Sequence, residues 1–170
     1  YYPTNDLVTA PEIMFFCVAR MIMSGYHYRN LPPFKNVYFT GIVRDDKGIK
    51  MSKSLGNFWT VREAFENYTP LTLRYALLSI PYRNPIDLSP EFLEDARMNY
   101  ERLIEAYGVS LSSDSDSGTD LSEASQRITD AMNDDFNSRA AIIGIQEVIS
   151  QYSGRDIATW LEQYLSLIHI

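Results

Sequence analysis

Apolar and polar positions along the chain fall into two regimes. In the first third, short apolar runs alternate with turn residues. Leu7-Val8-Thr9 has the alternation and β-branching of a short strand, and Pro11-Glu12 follows as a helix start, with proline at the first helical position and an acid beside it. Ile13, Phe16, Cys17, Arg20, Met21 and Gly25 then recur at helical spacing. That helix is apolar around most of its circumference, so it is expected to be buried on several sides. Arg29 to Phe34, with Pro32-Pro33, reads as loop. Val37 to Val43 is β-branched and aromatic and predicts a second strand, and Arg44 to Gly48 reads as a turn. Lys50 to Asn57 follows as a polar, glycine-containing loop.

Beyond the loop the period is helical throughout. Thr60 and Glu63 form a capping box that opens a helix to about Tyr68. Pro70 starts another, which Pro81, Asn84 and Pro85 break. Ser89-Pro90 caps a long helix to about Tyr107, with Phe92, Leu93, Ala96, Tyr100, Leu103 and Ile104 at core spacing. Gly108 to Asp120 is rich in Ser, Asp and Gly and is expected to be a flexible, solvated linker. Helices are expected at about Leu121–Met132 and Ser138–Tyr152, with a short one from Asp156. The fold class is therefore an α/β segment, β-α-β, followed by an all-α region. The expected division is 1–58, 59–107, a linker at 108–120, and 121–170. No internal repeat is present.

Composition narrows the function classes. The 170 residues are 45 % hydrophobic and 22 % charged, the values of a globular chain. A single cysteine, Cys17, excludes an internal disulfide framework. With only His27 and His169 beside it, no four-ligand Cys/His zinc site can be built, and no metal ligand is assigned. The most apolar run, Ile13 to Met23, contains Arg20 and is too short to span a bilayer. No membrane partner and a cytoplasmic location are expected. Charge is unevenly placed. Residues 1–62 hold eight Lys/Arg against four acids, a net of +4, whereas the remainder carries −11, and every lysine lies at or before Lys53. The first third is suited to an anionic ligand, or the two parts differ in origin.

The chemistry concentrates in Lys50-Met51-Ser52-Lys53-Ser54, set after a strand and turn and before a capped helix. Two lysines three residues apart, interleaved with hydroxyl groups, offer two point charges and several donors to a polyphosphate. Such groups accelerate a reaction when they bind the developing charge of the transition state better than the ground state. Two lysines and two serines alone would equally describe a surface turn.

The whole pentapeptide, with Leu55-Gly56-Asn57 after it, resembles the second signature of class I aminoacyl-tRNA synthetases. Residues 1 to about 57 are similar to bacterial valyl-tRNA synthetases, through Tyr2-Pro3-Thr4, Leu7 to Ile13, Phe15 to Met21 and Thr40 to Asp45. Residues 50 to about 152 resemble cysteinyl-tRNA synthetases, through Leu55 to Phe58, Thr60 to Glu63, Leu73 to Ser79, Tyr82 to Pro85 and Ala131 to Asn137. The two likenesses overlap at Lys50–Asn57, so a chimaera joined there is expected. Residues 165–170 read either as a plain apolar helix end or as the translation of a sequencing-library adapter.

The resemblance implies a Rossmann-type catalytic domain that activates an amino acid with ATP, with Mg2+ accompanying the nucleotide, and then charges tRNA. It implies that Lys50 and Lys53 stabilise the pyrophosphate leaving group and that Ser52 and Ser54 hold the loop and phosphates. Ile42, Val43 and Met51 would line the adenine. Glu12 is either the acid that binds the ribose hydroxyls or an ordinary acid at a helix N-terminus. Local arginines, Arg62, Arg74 and Arg83, are the candidates for tRNA contact. His27 is given no role. Cys17 departs from the valine family, where tryptophan is usual at this position, and is expected to be a small buried residue.

The first class I signature, the zinc ligands of the cysteinyl family and the valine editing domain have no counterpart in the sequence. The amino acid is cysteine or valine, with cysteine favoured by the longer C-terminal likeness. Three readings follow: a synthetase fragment inactive alone, a noncatalytic tRNA-binding helical module, or a nonfunctional chimaeric product. Residues 1–48 are expected to be the less stable part, exposing a strand edge and an apolar helix face.

Overall fold

The structure, a computed structural model, describes residues 2–168, with the side chains of Leu167 and Ile168 outside that description. His169 and Ile170, which close the segment read as a helix end or adapter, lie outside the described residues.

The chain begins as a β-α-β unit. Strand β1 (Thr4–Thr9) pairs in parallel with β2 (Phe34–Phe39), Leu7 opposite Val37 and Thr9 opposite Phe39. Asn36 donates to Asp6 Oδ1 across the pair at 2.9 Å. Between them a 3-10 turn (Pro11–Ile13) and a π turn (Met14–Val18) lead into α1 (Ala19–Arg29), which Asn30 ends in the left-handed conformation at φ 53°. The single helix expected over this segment is thus three helical types in succession.

Its burial differs from expectation as well. Only Val18 and Gly25 of this stretch are buried, while Phe15 is 88 % and Tyr28 77 % exposed, with Phe16 and Met23 also open. Cys17 is exposed rather than buried. The apolar circumference is real, but among the described residues nothing covers most of it. The expected exposure of the first 48 residues follows from this.

The second expected strand is two. β2 ends at Phe39 and β3 (Val43–Arg44) pairs in parallel with β4 (Ile86–Asp87), a strand hidden in the segment read only as a helix break. The described residues therefore hold two separate two-stranded parallel sheets, the second of which joins the α/β segment to the 59–107 region. Gly41 sits at the interruption, where its N–H donates to Tyr82 O at 2.7 Å and the two backbones touch.

Helix α2 (Val61–Ala64) opens on the expected capping box but ends at Ala64, where the chain turns, instead of reaching Tyr68. Thr69 caps α3 (Pro70–Leu78) and Ser89 caps α4 (Pro90–Leu111), four residues longer than expected. Helices α5 (Ser122–Asn133), α6 (Ser138–Gln151) and α7 (Arg155–Ile168) complete the fold. The main core lies among these helices, with Val18 and Phe34 buried apart from it. Leu93, Leu103, Ile128, Ile157 and Leu161 are fully buried, and Tyr75 and Trp160 join them. Each aromatic polar tip finds a partner: Gln146 donates to Tyr75 Oη at 2.8 Å and Trp160 Nε1 donates to Ser125 Oγ at 2.8 Å. Leu165, inside the suspect tail, packs against this core.

Residues 112–121 do not hang free. The Asp156 carboxylate accepts from Ser117 N, Ser117 Oγ and Gly118 N, and Arg155 N donates to Ser115 O. These bonds tie the polar segment to the first turn of α7, so its solvated composition does not make it a loose tether.

A further clamp joins the β4 approach to the helical region. Asp135, in the left-handed conformation between α5 and α6, accepts from the guanidinium of Arg83 and from Tyr82 Oη. The guanidinium, then the hydroxyl, pull the Asp135 carboxyl down to about 2. A folded value below the unfolded one, about 3.9, stabilises the protein above that value. The contribution is lost as pH falls from about 5 towards 2. Thermal unfolding followed between pH 5 and pH 2 should therefore show a steeper loss of stability for the natural chain than for Asp135→Asn; parallel curves would contradict the clamp.

Candidate active site

The loop of interest grows out of a small hairpin. Arg44 bridges Lys50 in antiparallel fashion, Asp45 N donates to Ile49 O at 2.8 Å, and Met51 N donates to Val43 O at 3.0 Å. Gly48 takes φ 72° to close the turn. Lys50 and Met51 are thus fixed to the sheet through their backbones. Ser52 to Gly56 projects beyond them, with a 3-10 turn at Lys53–Leu55 and Gly56 at φ 68°. Ser52 Oγ and Ser54 Oγ lie 3.2 Å apart, and Lys53 Nζ stands 5.8 Å from the centre of the Phe58 ring.

Beside the loop is an apolar cavity of about 400 Å3. Ala10, just past β1, forms one wall. Ile42, Val43, Lys50 and Met51 line another, and Phe58, Trp59 and Leu73 are among the residues that close it. The cavity thus touches the carboxyl ends of β1 and β4 through Ala10 and Leu88, on the side where ligands of open α/β sheets bind, and the start of β3 through Ile42 and Val43. The structure brings Ile42, Val43, Met51 and Lys50 to one cavity, with Ser52, Lys53 and Ser54 on the adjoining turn. Glu12 stands apart from that lining, exposed in the 3-10 turn after β1.

The three arginines occupy different elements. Arg62 is exposed on α2, and Arg74 is half-buried and partnered on α3. Arg83 is held by Asp135 and lies against the rings of Tyr82 and Tyr38, at 5.0 and 6.0 Å. The hydrogen bond to Asp135 raises its pKa further, so it is a permanent cation. Among the described residues no group of three or more His, Cys, Asp or Glu could hold a metal ion.

Four residues, Asp45, Asn57, Phe58 and Trp59, had no assigned role in the sequence and matter here. Asp45, only 9 % exposed, accepts from Lys47 N and Ile49 N through Oδ1. Through Oδ2 it accepts from Asn57 Nδ2 at 2.9 Å. The Asn57 amide, then the backbone donors, outweigh burial and hold the Asp45 carboxyl below its ordinary value. The available signal was an Asp opening a glycine-containing turn, a common Asx arrangement. Phe58 and Trp59 also line the cavity, and no local pattern in the sequence marks them for it.

A family model for class I tRNA synthetases (I, L, M and V) matches residues 1–89, more than half of the chain. The chain belongs to the class I tRNA synthetases. This synthetase segment is 55 % identical over 98 residues to the valine–tRNA ligase of Bacteroides fragilis, covering 57 % of this chain and 11 % of that protein. It is 61 % identical over 87 residues to the valine–tRNA ligase of Christiangramia forsetii, covering 51 % and 10 %. With the Bacteroides thetaiotaomicron valine–tRNA ligase the identity is 49 % over 116 residues, covering 64 % and 13 %. The chain thus spans about a tenth of the length of these relatives.

An aligned stretch of 98 residues cannot end near residue 57, where the valine likeness was expected to stop. These relatives bear the name of valine and give the cysteine expectation no support. The fold of the synthetase segment matches the ternary LeuRS–tRNA–LeuAMS complex of Agrobacterium radiobacter K84 at a TM-score of 0.71. The match covers 98 % of this chain and 26 % of that one at 21 % identity, so it speaks to the fold alone.

Proposed function

We propose that the chain is the loop-bearing part of a valine–tRNA ligase, acting with ATP and tRNA when joined to the rest of such an enzyme and inactive by itself. The observation that carries this is the cavity shared by Ile42, Val43, Lys50 and Met51 beside the Ser52–Ser54 turn, taken with the valine–tRNA ligases as relatives. The cavity's apolar walls suit a purine base. Lys50 and Lys53 suit the pyrophosphate that leaves when the carboxylate of the amino acid attacks the α-phosphate, and Ser52 and Ser54 add neutral donors. Mg2+ would arrive on the nucleotide's phosphates, since no carboxylate cluster among the described residues offers it a site. Glu12 remains a candidate for the ribose, and Arg62, Arg74 and Arg83 for the tRNA.

In this reading residues 1–58 complete the nucleotide domain, 59–107 contact the tRNA stem, 108–120 connect, and 121–170 begin the anticodon-binding helices. The open face of Phe15, Phe16, Met23 and Tyr28 fits a segment whose fold partners lie elsewhere in the enzyme.

Trp59 lines the cavity while the other tryptophan, Trp160, is buried in the helical core. Titrating the chain with ATP while following tryptophan emission should give a saturable change that Trp59→Phe removes. No change at millimolar ATP would count against the nucleotide reading.

A second reading assigns residues 50–152 to a cysteine–tRNA ligase joined to a valine segment at Lys50–Asn57. It rests on the stretches quoted above alone, since the valine alignments of 98 and 116 residues run past that junction and do not favour it. Amplification from source DNA across the codons for Lys47 to Phe58 separates the two: one continuous gene supports the first, and two separate genes the second.

A further inference from the structure

The Lys50–Ser54 loop is closed at its base by one side chain. Asn57 Nδ2 donates to Asp45 Oδ2 at 2.9 Å and to Lys50 O at 3.2 Å, while Ser52 N donates to Asn57 Oδ1 at 3.0 Å. Both amide hydrogens and the amide oxygen are thereby used. Two of the partners, Lys50 and Ser52, lie on the incoming limb of the loop and the third, Asp45, on the turn beneath it, while Asn57 itself stands on the outgoing limb. Asp45 cannot move in turn, because its other oxygen is bound to Lys47 N and Ile49 N. Beyond this knot the loop has little to hold it. Its remaining backbone bonds, Leu55 N to Ser52 O and Gly56 N to Lys53 O, are local, and Lys53, Ser54, Leu55 and Gly56 are exposed.

We propose that Asn57, held by Asp45, is a positioning residue that latches the loop and so sets where Lys50 and Lys53 stand for a polyphosphate. The inference rests on the function proposed above only in its second half. The latch is a statement about this chain's geometry, whereas the polyphosphate depends on that reading. Asn57 touches no phosphate in this scheme and acts through the loop. An alanine at 57 leaves Asp45 Oδ2, Lys50 O and Ser52 N without this partner, so the segment 52–56 opens while the distant helical core is untouched.

Trypsin reads the loop directly, because it cleaves after Lys50 and Lys53. For the 170-residue chain, Asn57→Ala and Asn57→Asp are each expected to raise the initial cleavage rate at these two lysines by about tenfold. The Asp variant keeps the size but faces a second carboxylate across 2.9 Å. The unfolding midpoint of the helical core, followed by Trp160 in a Trp59→Phe background, should stay the same. Inorganic pyrophosphate should protect the natural loop and protect both variants at least several-fold less well.

Unchanged cleavage at Lys50 and Lys53 in both variants overturns the latch. Faster cleavage with equal pyrophosphate protection overturns the positioning role, because an open loop would then bind as well as a latched one. Absence of pyrophosphate protection in the natural chain is a failure of the functional reading; the positioning role falls with it, and the cleavage rates alone then decide the latch.

Discussion

Gly41→Ala should disrupt the seam between the strands more than any other single methyl added to this chain. A Cβ at residue 41 would stand 1.9 Å from Asn84 O, 2.2 Å from Asn84 C and 2.6 Å from Pro85 N. All three are backbone atoms, so no side chain can swing aside. The only relief is separation of the 40–44 segment from 82–88. That separation breaks Gly41 N to Tyr82 O, Ile86 N to Ile42 O and Leu88 N to Arg44 O. A cost on the order of 3 kcal/mol is expected, at the upper end of overpacking effects. Hydrogen exchange should show Ile86 and Leu88 amides losing protection while α4 and α7 amides keep theirs. Because β3 carries the hairpin that feeds the Lys50–Ser54 loop, ATP binding should fall as well. Equal protection at Ile86 in the variant would mean that the two backbones are not in contact.

Lys53→Ala is the second large effect. Lys53 is exposed on the 3-10 turn, its ammonium near only the Phe58 ring among the contacts described. Nothing in the fold depends on it, so its loss should leave the unfolding midpoint unchanged. Hydrogen bonds between a cation and a phosphate contribute about 1.5–3 kcal/mol each. Pyrophosphate affinity should therefore fall by roughly 10- to 100-fold, and the double change Lys50→Ala, Lys53→Ala further still. Isothermal titration with pyrophosphate at two salt concentrations would test it. Equal affinity in the natural chain and in Lys53→Ala would remove Lys53 from the site.

The sequence made some of this legible and hid the rest for identifiable reasons. Helix starts are local, so Thr60, Pro70 and Ser89-Pro90 fix them where they were read. Core spacing in α4 and α6 is likewise a property of one element, and Leu93, Leu103, Ile142 and Ile145 are buried as their period requires. Strand β4 could not be read, because two residues between prolines have no period of their own and become a strand only through β3. The helix from Ile13 misled in burial, since an apolar surface states what must be covered but not whether this chain supplies the cover. The lysine-serine loop was legible as a polar loop from its residue types, and its chemistry only from the resemblance of the whole pentapeptide. The knot beneath it was not, because Asp45 and Asn57 are twelve residues apart and meet only through the hairpin turn.

The most direct test of the central claim is a graft. Residues 1–89 of this chain would replace the matching segment of the Bacteroides fragilis valine–tRNA ligase, with ATP–pyrophosphate exchange measured against valine and against cysteine. Exchange that requires valine, and that Lys53→Ala abolishes, is the expected result. A folded graft that exchanges with neither amino acid, or with cysteine in place of valine, would contradict the account.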